Sequence, residues 1–307
     1  MKKTISISIP TYNEEGNVLP LYDALREQLT ALEDRYDYEI VFIDNKSTDS
    51  TREKLLQLCE RDKRVKAIFN TRNFGASHSS YYGALQTSGD CTICMNADFQ
   101  EPPELLPRMV EAWEQGHKSV CMVKAKSREN PLMRGLRTLF YRILRKMSDI
   151  GILENYTGFG LYDKCVLDAV CKLGDSDPFS RGLPIELGFD RIEIPYTQDK
   201  RRAGKSSYNF FSLYDHAMLG MVTYTKMAPR LATFMGLLIS GGSFIAALVC
   251  LILSKQDTIP MLGLFFLGGV QLLFLGLLGE YIINIQRRSM GRPLVIEERR
   301  VNFDREA

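Results

Sequence analysis

Cys91-Thr-Ile-Cys-Met-Asn-Ala-Asp-Phe-Gln-Glu-Pro-Pro103 is the stretch around which the rest of this sequence is organised. Its first five residues are mostly apolar and predict a buried strand. The two prolines suit the first turn of a helix. Because open α/β sheets bind ligands at the carboxyl ends of their strands, Asp98 and Gln100 offer oxygen ligands for Mg²⁺ or Mn²⁺ holding a diphosphate. In the alternative interpretation, Asp98 only caps the helix that begins near Pro102.

The composition allows a large folded core and argues against some classes of protein. The chain has 307 residues, 45% of them hydrophobic and 25% charged, and a formal net charge of +2. This balance argues against a nucleic-acid-binding protein. The seven cysteines are scattered and no secretory signal is recognised, as expected for a reducing cytosol. Cys91 and Cys94 are spaced like a redox or zinc pair, but we interpret them as small core residues.

Apolar strands alternate with amphipathic helices on both sides of the opening stretch. Five strands are predicted in the first half, near residues 4–9, 38–43, 65–69, 91–95 and 120–123. Helices are predicted between them, near residues 18–32, from residue 51, and near residues 77–86 and 104–114. This alternation is typical of a doubly wound, mostly parallel α/β sheet.

Polar loops follow three of these strands, after Ile9, Ile43 and Met95. In a parallel sheet they would meet at the carboxyl edge, where a nucleotide could bind. The sequence contains no glycine-rich phosphate-binding fingerprint of the dinucleotide or P-loop type. A metal ion or basic side chains must therefore balance the charge of any bound phosphate.

Four motifs occur along the chain in a fixed order: Pro10-Thr-Tyr-Asn-Glu14, Ile43-Asp-Asn-Lys-Ser-Thr-Asp49, Arg72-Asn-Phe-Gly75 and Asn96-Ala-Asp-Phe-Gln-Glu-Pro-Pro103. As a group they resemble the family 2 glycosyltransferases, in the branch of dolichol-phosphate mannose synthase and bacterial polyprenyl-phosphate glucosyltransferases. The resemblance implies a GT-A-like sheet, a nucleotide-sugar donor, and Mg²⁺ or Mn²⁺ as cofactor.

The resemblance also implies roles for individual side chains. Four residues of the first two motifs would hold the nucleoside of the donor: Pro10, Tyr12, Glu14 and Asp44. Asp98 and Gln100 would bind the metal, and Asp98 would be catalytic. Asn96, also donor-binding, stands where the family has an acidic residue, so it keeps an oxygen acceptor without the charge. Lys124, where the family commonly has arginine, would help to bind the donor.

Two departures from the family pattern leave a second interpretation open. One is Asn96, and the other is Asp44-Asn45-Lys46-Ser47, where the family usually has Asp-Asp-Gly-Ser. Metal affinity could be lower than in the family, and the chain could be a catalytically reduced nucleotide-binding scaffold on a membrane.

Two long stretches near the C-terminus carry no charged residue, residues 231–253 and 258–279. Each is long enough to cross the hydrocarbon core of a bilayer, and only four residues separate them. Because lysine and arginine flank the pair on its outer sides, we expect a transmembrane hairpin in the cell (inner) membrane, with the catalytic part and both termini cytoplasmic. The alternative is a helical hairpin buried in a protein core.

Two basic segments lie between the sheet and this hairpin. Residues 130–147 have an apolar stripe at helical spacing with five arginines and lysines between, as in a helix at the membrane surface. The alternative is a helix packed on the sheet.

The second basic segment is Lys200-Arg-Arg-Ala-Gly-Lys-Ser-Ser-Tyr208, which resembles the family's Arg-x-x-Gly-x-Ser loop. The resemblance assigns this motif to Arg202, Gly204 and Ser206, and it implies that Arg202 is catalytic. The alternative is a polybasic patch beside the membrane. The acceptor phosphate would be bound by four residues: Arg128, Arg134, Lys205 and Ser206.

The predicted organisation is therefore a nucleotide-sugar-binding domain (1–128), an acceptor-side membrane-interface segment (129–228), the hairpin (229–288) and a cytoplasmic tail (289–307). The predicted function is inverting transfer of a sugar from a nucleotide-sugar, with UDP preferred, to polyprenyl phosphate for cell-envelope glycosylation. The partners are the donor, the polyprenyl phosphate and the bilayer, and glycines in the hairpin permit a homo-oligomer. A processive polysaccharide synthase is a further alternative, although the chain has a single tryptophan, Trp113.

Overall fold

The computed structural model describes residues 2–126, 153, 155–175, 186–199, 201–202, 218–219 and 259–303. Several predicted features lie outside these residues, namely the amphipathic helix 130–147, the uncharged stretch 231–253, and Arg128, Arg134, Gly204, Lys205 and Ser206.

Within the described residues, one mixed sheet of eight strands forms the centre of the protein. The strands are β1 (Lys3–Thr11), β2 (Tyr36–Asp44), β3 (Val65–Asn70), β4 (Cys91–Cys94), β5 (Ser119–Lys126), β6 (Tyr156–Asp163), β7 (Arg191–Thr197) and β8 (Glu297–Val301). The helices are α1 (Val18–Thr30), α2 (Thr51–Arg61), α3 (Ala76–Leu85), α4 (Leu106–Glu114), α5 (Lys164–Leu173) and α6 (Ile259–Ser289). A 3₁₀ turn, Pro103–Leu105, precedes α4.

The strand order is β7-β5-β6-β4-β1-β2-β3-β8. β1 pairs in parallel with β2 on one side and with β4 on the other, and β2 pairs in parallel with β3. β6 runs antiparallel to β4 and β5, and β8 runs antiparallel to β3. The predicted mostly parallel α/β sheet is therefore confirmed. The chain reverses its winding between β1 and β4, which is where sheets of this type bind ligands.

Helices cover both faces of the sheet because the strands are apolar on both sides. Ile5, Ile7 and Ile9 of β1 belong to one large core cluster together with apolar residues of α1, α2 and α4. The alternating serines of β1 face α3, where a Cβ on Gly83 would lie 2.8 Å from Ser8 Oγ. Small residues on both partners thus let α3 pack closely on β1.

The C-terminal residues 297–303 join the sheet, and the sequence did not predict this. β8 pairs with β3 over Ala67↔Val301 to Asn70↔Glu297. Asn302 Nδ2 donates to the backbone oxygens of Cys59 (2.6 Å) and Val65 (2.8 Å). The segment expected to be a separate tail therefore forms one edge of the central sheet.

Helix α6 contains nearly all of the second uncharged stretch and continues to Ser289. Among the residues whose side chains the structure describes, no helix is both long and apolar enough to cross a membrane.

Candidate functional site

The first part of the site is formed by the loops after β1 and β2. The register places Thr11 beside Asp44, so both loops leave the sheet at the same edge. Asn13, at a φ of 55°, accepts a bond through Oδ1 from the backbone N–H of Thr48 (2.8 Å). The N–H of Asn13 donates to Ser47 Oγ (2.9 Å), and the N–H of Glu14 donates to Thr51 Oγ1 (2.9 Å). These bonds join the two loops directly to each other.

Asp44 lies beneath these loops and is fully buried. Its carboxylate accepts bonds from Ser47, through Oγ (2.5 Å) and the backbone N–H (3.1 Å), and Arg52 Nε lies 3.6 Å from Oδ2. Burial raises the pKa of Asp44, while Ser47 and Arg52 act in the opposite direction. Tyr12 is 38% exposed at the same edge, so its aromatic ring is accessible to a planar ligand such as a nucleobase. Pro10, the other residue predicted to bind the nucleoside, is partly buried at the end of β1.

The second part of the site is the loop after β4, residues 96–101. Asp98 is 8% exposed, and its Oδ1 accepts a bond from the backbone N–H of Gln100 (3.1 Å). Phe99 between them has a φ of 61°, an unusual conformation for a non-glycine residue. No side chain caps the turn Pro103–Leu105. The interpretation of Asp98 as a simple helix cap is therefore wrong.

A segment one hundred residues further along the chain closes over this loop. The backbone N–H of Asp199 donates to the oxygen of Gln100 (3.3 Å), and that of Arg202 donates to the oxygen of Asp98 (3.2 Å). The guanidinium of Arg202 lies 5.0 Å from the ring centre of Phe99, within cation–π range.

Arg201 joins the two parts of the site. Its Nη2 donates to Glu14 Oε1, and its Nε lies 3.8 Å from Asp98 Oδ2. Burial raises the pKa of Glu14, and the bonds from Asn17 and Arg201 lower it. The resemblance pointed to Arg202, whereas it is Arg201 that contacts the two carboxylates. The spacing could have identified it, since counting back three residues from Gly204 in Arg-x-x-Gly gives Arg201.

Glu101 is a second residue that the sequence interpretation missed. It is 2% exposed and accepts bonds from the backbone N–H of Asn96 (2.7 Å), Asn96 Nδ2 (3.1 Å) and Thr157 Oγ1 (3.3 Å). Burial raises its pKa to about 7; Asp98 also raises it, while the bonds from Asn96 and the charge of Lys124 lower it. Lys124 therefore lies near the loop, as expected. The signal in the sequence was an acidic residue directly before the two prolines.

The oxygen ligands of this edge fit a Mg²⁺ or Mn²⁺ ion that shares its coordination with a diphosphate. Within the described part of the chain, no group of three or more His, Cys, Asp or Glu side chains could hold a metal ion. Asp98 supplies one carboxylate and Gln100 one amide oxygen. Mg²⁺ usually takes one or two carboxylates and completes its shell with waters and substrate phosphates, so these two residues would leave the rest of the shell to water and the diphosphate.

Comparison with known proteins gives consistent results. The model of the family described as "Glycosyl transferase family 2" matches residues 6–170. The Bacillus subtilis protein "Uncharacterized glycosyltransferase YkcC" is 32% identical, with 96% of this chain and 93% of the relative covered. "Bactoprenol glucosyl transferase" of Shigella phage SfX is also 32% identical, with 94% and 97% covered.

Among solved structures, the mannosyltransferase PcManGT from Pyrobaculum calidifontis, in complex with GDP-Man and Mn²⁺, superimposes with a TM-score of 0.49 at 15% identity. The match covers 94% of this chain and 85% of that chain. A likeness of this size assigns neither ligand nor activity.

Proposed function

The chain belongs to glycosyl transferase family 2, and on this premise we propose that it transfers a sugar from a UDP-sugar to a polyprenyl phosphate with inversion at the anomeric carbon. The observation that carries the proposal is the meeting of Glu14, Asp98 and Arg201 where the winding of the sheet reverses. The names of relatives such as the bactoprenol glucosyl transferase of phage SfX support the choice of a polyprenol acceptor.

The donor would lie across the two parts of the site. Its base would stack on Tyr12, and Glu14 would face the nucleoside from the loop after β1. Its diphosphate would reach Asp98, where Arg201 offers N–H donors for phosphate oxygens. A Mg²⁺ or Mn²⁺ ion bound through Asp98 and Gln100 would neutralise the charge that grows on the leaving diphosphate. The segment 199–202 would keep water away from this end of the donor.

The reaction is a single displacement. An oxygen of the lipid phosphate forms a bond to the anomeric carbon, and the bond from that carbon to the diphosphate breaks, so that UDP leaves with its electron pair. A phosphate monoester has a second pKa of about 6 and is largely ionised at neutral pH, so no strong general base is needed. The protein accelerates the step by positioning the reactants and stabilising charge.

The proposed location is the inner membrane, with the hairpin spanning the bilayer and the sheet in the cytoplasm. The uncharged stretches 231–253 and 258–279 and the 31-residue helix α6 support this. The pairing of β8 with β3 requires the chain after α6 to lie on the side that holds the sheet, and a hairpin that crosses the bilayer twice meets this requirement.

The experiment is a screen of UDP- and GDP-sugars against undecaprenyl phosphate in liposomes containing the full chain, with Mg²⁺ or Mn²⁺. We expect one donor to yield a lipid-linked sugar and one nucleoside diphosphate per transfer. Asp98→Asn should lower the rate about 100-fold or more, because the metal ion that would neutralise the diphosphate loses its charged ligand. Asp37→Asn is the matched control, since Asp37 is exposed near the amino end of β2.

The outcomes separate the alternatives. Unchanged transfer by Asp98→Asn would overturn the proposed site. Products carrying many sugars on one lipid would identify a processive synthase. If the wild-type chain releases no nucleoside diphosphate with any donor, the result favours the scaffold interpretation.

A further inference from the structure

Glu101 is buried beside Asn96 at the edge of the site. Both carboxylate oxygens are occupied by bonds from Asn96 and Thr157, and the side chain is 2% exposed. Glu101 therefore cannot coordinate a metal or touch a donor in this arrangement. It can act on the site only through the residues that it holds.

The residue it holds most closely is Asn96, which is exposed at the edge of the site. The backbone N–H of Asn96 bonds Oε2 of Glu101, and Nδ2 bonds Oε1. In both bonds Glu101 is the acceptor, so the N–H₂ end of the amide faces its carboxyl group. Oδ1 is then the atom through which Asn96 can accept a bond from a donor hydroxyl or a metal-bound water.

We infer that Glu101 is a positioning residue that orients the amide of Asn96 so that Oδ1 serves the donor, and that residue 96 is an asparagine because its partner is a buried carboxylate. The inference rests on the proposed function, because it concerns the donor of that reaction. An aspartate at position 96 would place a second carboxylate about 3 Å from the first, where like charges repel strongly.

Substitutions at positions 96 and 101 should therefore have non-additive effects on nucleotide binding. Glu101→Gln replaces one acceptor by a donor, so the amide of Asn96 must turn over and present Nδ2 to the ligand. Asn96→Asp sets two carboxylates against each other. The double variant Asn96→Asp with Glu101→Gln restores a matched donor and acceptor, with the roles exchanged.

The test is titration of the full chain in detergent with UDP and, in parallel, with GDP, each with Mn²⁺, followed by calorimetry and by the Mn²⁺ EPR signal. We expect each single variant to bind about tenfold more weakly and the double variant to return to within about threefold of wild type. Glu104→Gln is the matched control, because Glu104 is exposed on the following turn, and it should bind like wild type. Thermal unfolding midpoints are recorded for all five proteins.

The positioning role is established if the double variant regains nucleotide binding that the single variants lose, while the unfolding midpoints do not follow the same pattern. Single losses that multiply to about 100-fold in the double variant would overturn it, and so would single variants that bind like wild type. The proposed function fails separately, when the wild-type chain binds nucleotide with Mn²⁺ but transfers no sugar. A wild-type chain that binds neither nucleotide overturns both.

Discussion

The two parts of the site are built in different ways. The loops after β1 and β2 are neighbours in the sheet and bond directly to each other, through Asn13, Ser47 and Thr51. The loop after β4 has no such neighbour. Its shape is supported by Thr157 on β6 and by the backbone of Asp199 and Arg202, which lie far along the chain.

This difference shows which substitutions should affect binding and which should affect the reaction. Bonds around Asp44 are numerous and local, so the loss of one leaves others in place. Arg201 is the described residue whose ion pairs link the two parts, so its loss should matter most for catalysis.

The largest expected effect belongs to Arg201→Ala. It should lower kcat/KM for sugar transfer about 100-fold, because a charged donor to the diphosphate is lost. Arg202→Ala should lower it less than about tenfold, since that guanidinium packs on Phe99. Steady-state kinetics with the active donor measure both. A larger loss for Arg202→Ala would show that the role carried over from the family was right and that our emphasis on Arg201 is wrong.

The second prediction concerns the end of β6 that lies beside the start of β4, away from the site. Asp163 ends β6, and its carboxylate accepts bonds from Trp113 Nε1 (2.8 Å), Lys118 Nζ (3.0 Å) and the N–H of Cys165 (3.0 Å). Asp163→Asn should destabilise the protein by about 2 kcal/mol at pH 7, because bonds to a charged acceptor are lost. Thermal unfolding of both proteins measures this.

The pH dependence of that effect has a definite sign. Burial alone would raise the pKa of Asp163, but bonds from Cys165, Trp113 and Lys118 lower it well below its ordinary value. The stabilisation by Asp163 is thus complete above an unfolded-state pKa of about 4 and is lost as the pH falls below it. The difference between the two proteins should shrink below about pH 4; a constant difference would contradict the assigned charge.

A smaller effect is expected from Ser47→Ala in the loop after β2. The substitution removes one bond to Asp44 and one from Asn13, and the backbone N–H of Ser47 still bonds the carboxylate. The KM for the donor should rise about fivefold with little change in kcat, which corresponds to about 1 kcal/mol of binding free energy. Thr48→Val is the control for the exposed neighbour, whose hydroxyl makes only a long bond to Asn13 (3.3 Å). A fall in kcat would place this loop in the catalytic step.

The smallest effect belongs to Glu298→Gln on β8. Glu298 Oε2 lies 2.7 Å from Lys46 Nζ and 3.1 Å from Arg52 Nη2, at side chains that are partly exposed. Such exposed pairs contribute less than about 1 kcal/mol. The unfolding midpoint should fall by no more than about 2 °C, and the difference should vanish at about 1 M salt. A larger shift would mean that β8 supports the loop after β2 more strongly than its contacts indicate.

The sequence predicted the strands that have a clear apolar pattern. β1 to β5 are apolar runs, and the carboxyl ends of parallel strands necessarily meet, so Glu14, Asp98 and Gln100 were predicted at one edge. Thr157 reaches the same edge from a distant segment, and no local pattern reveals that contact, whereas the Arg-x-x-Gly spacing marked the position of Arg201. β8 consists of Glu-Glu-Arg-Arg-Val, which lacks the apolar alternation of a strand.

That strand has a consequence for association between copies of the protein. A sheet ending at β3 would present a row of unpaired amides and carbonyls, a template for a strand from another molecule. β8 occupies this row. With four charged residues among its five, it is itself a poor template for further pairing. β8 thus protects this edge of the sheet from edge-to-edge aggregation.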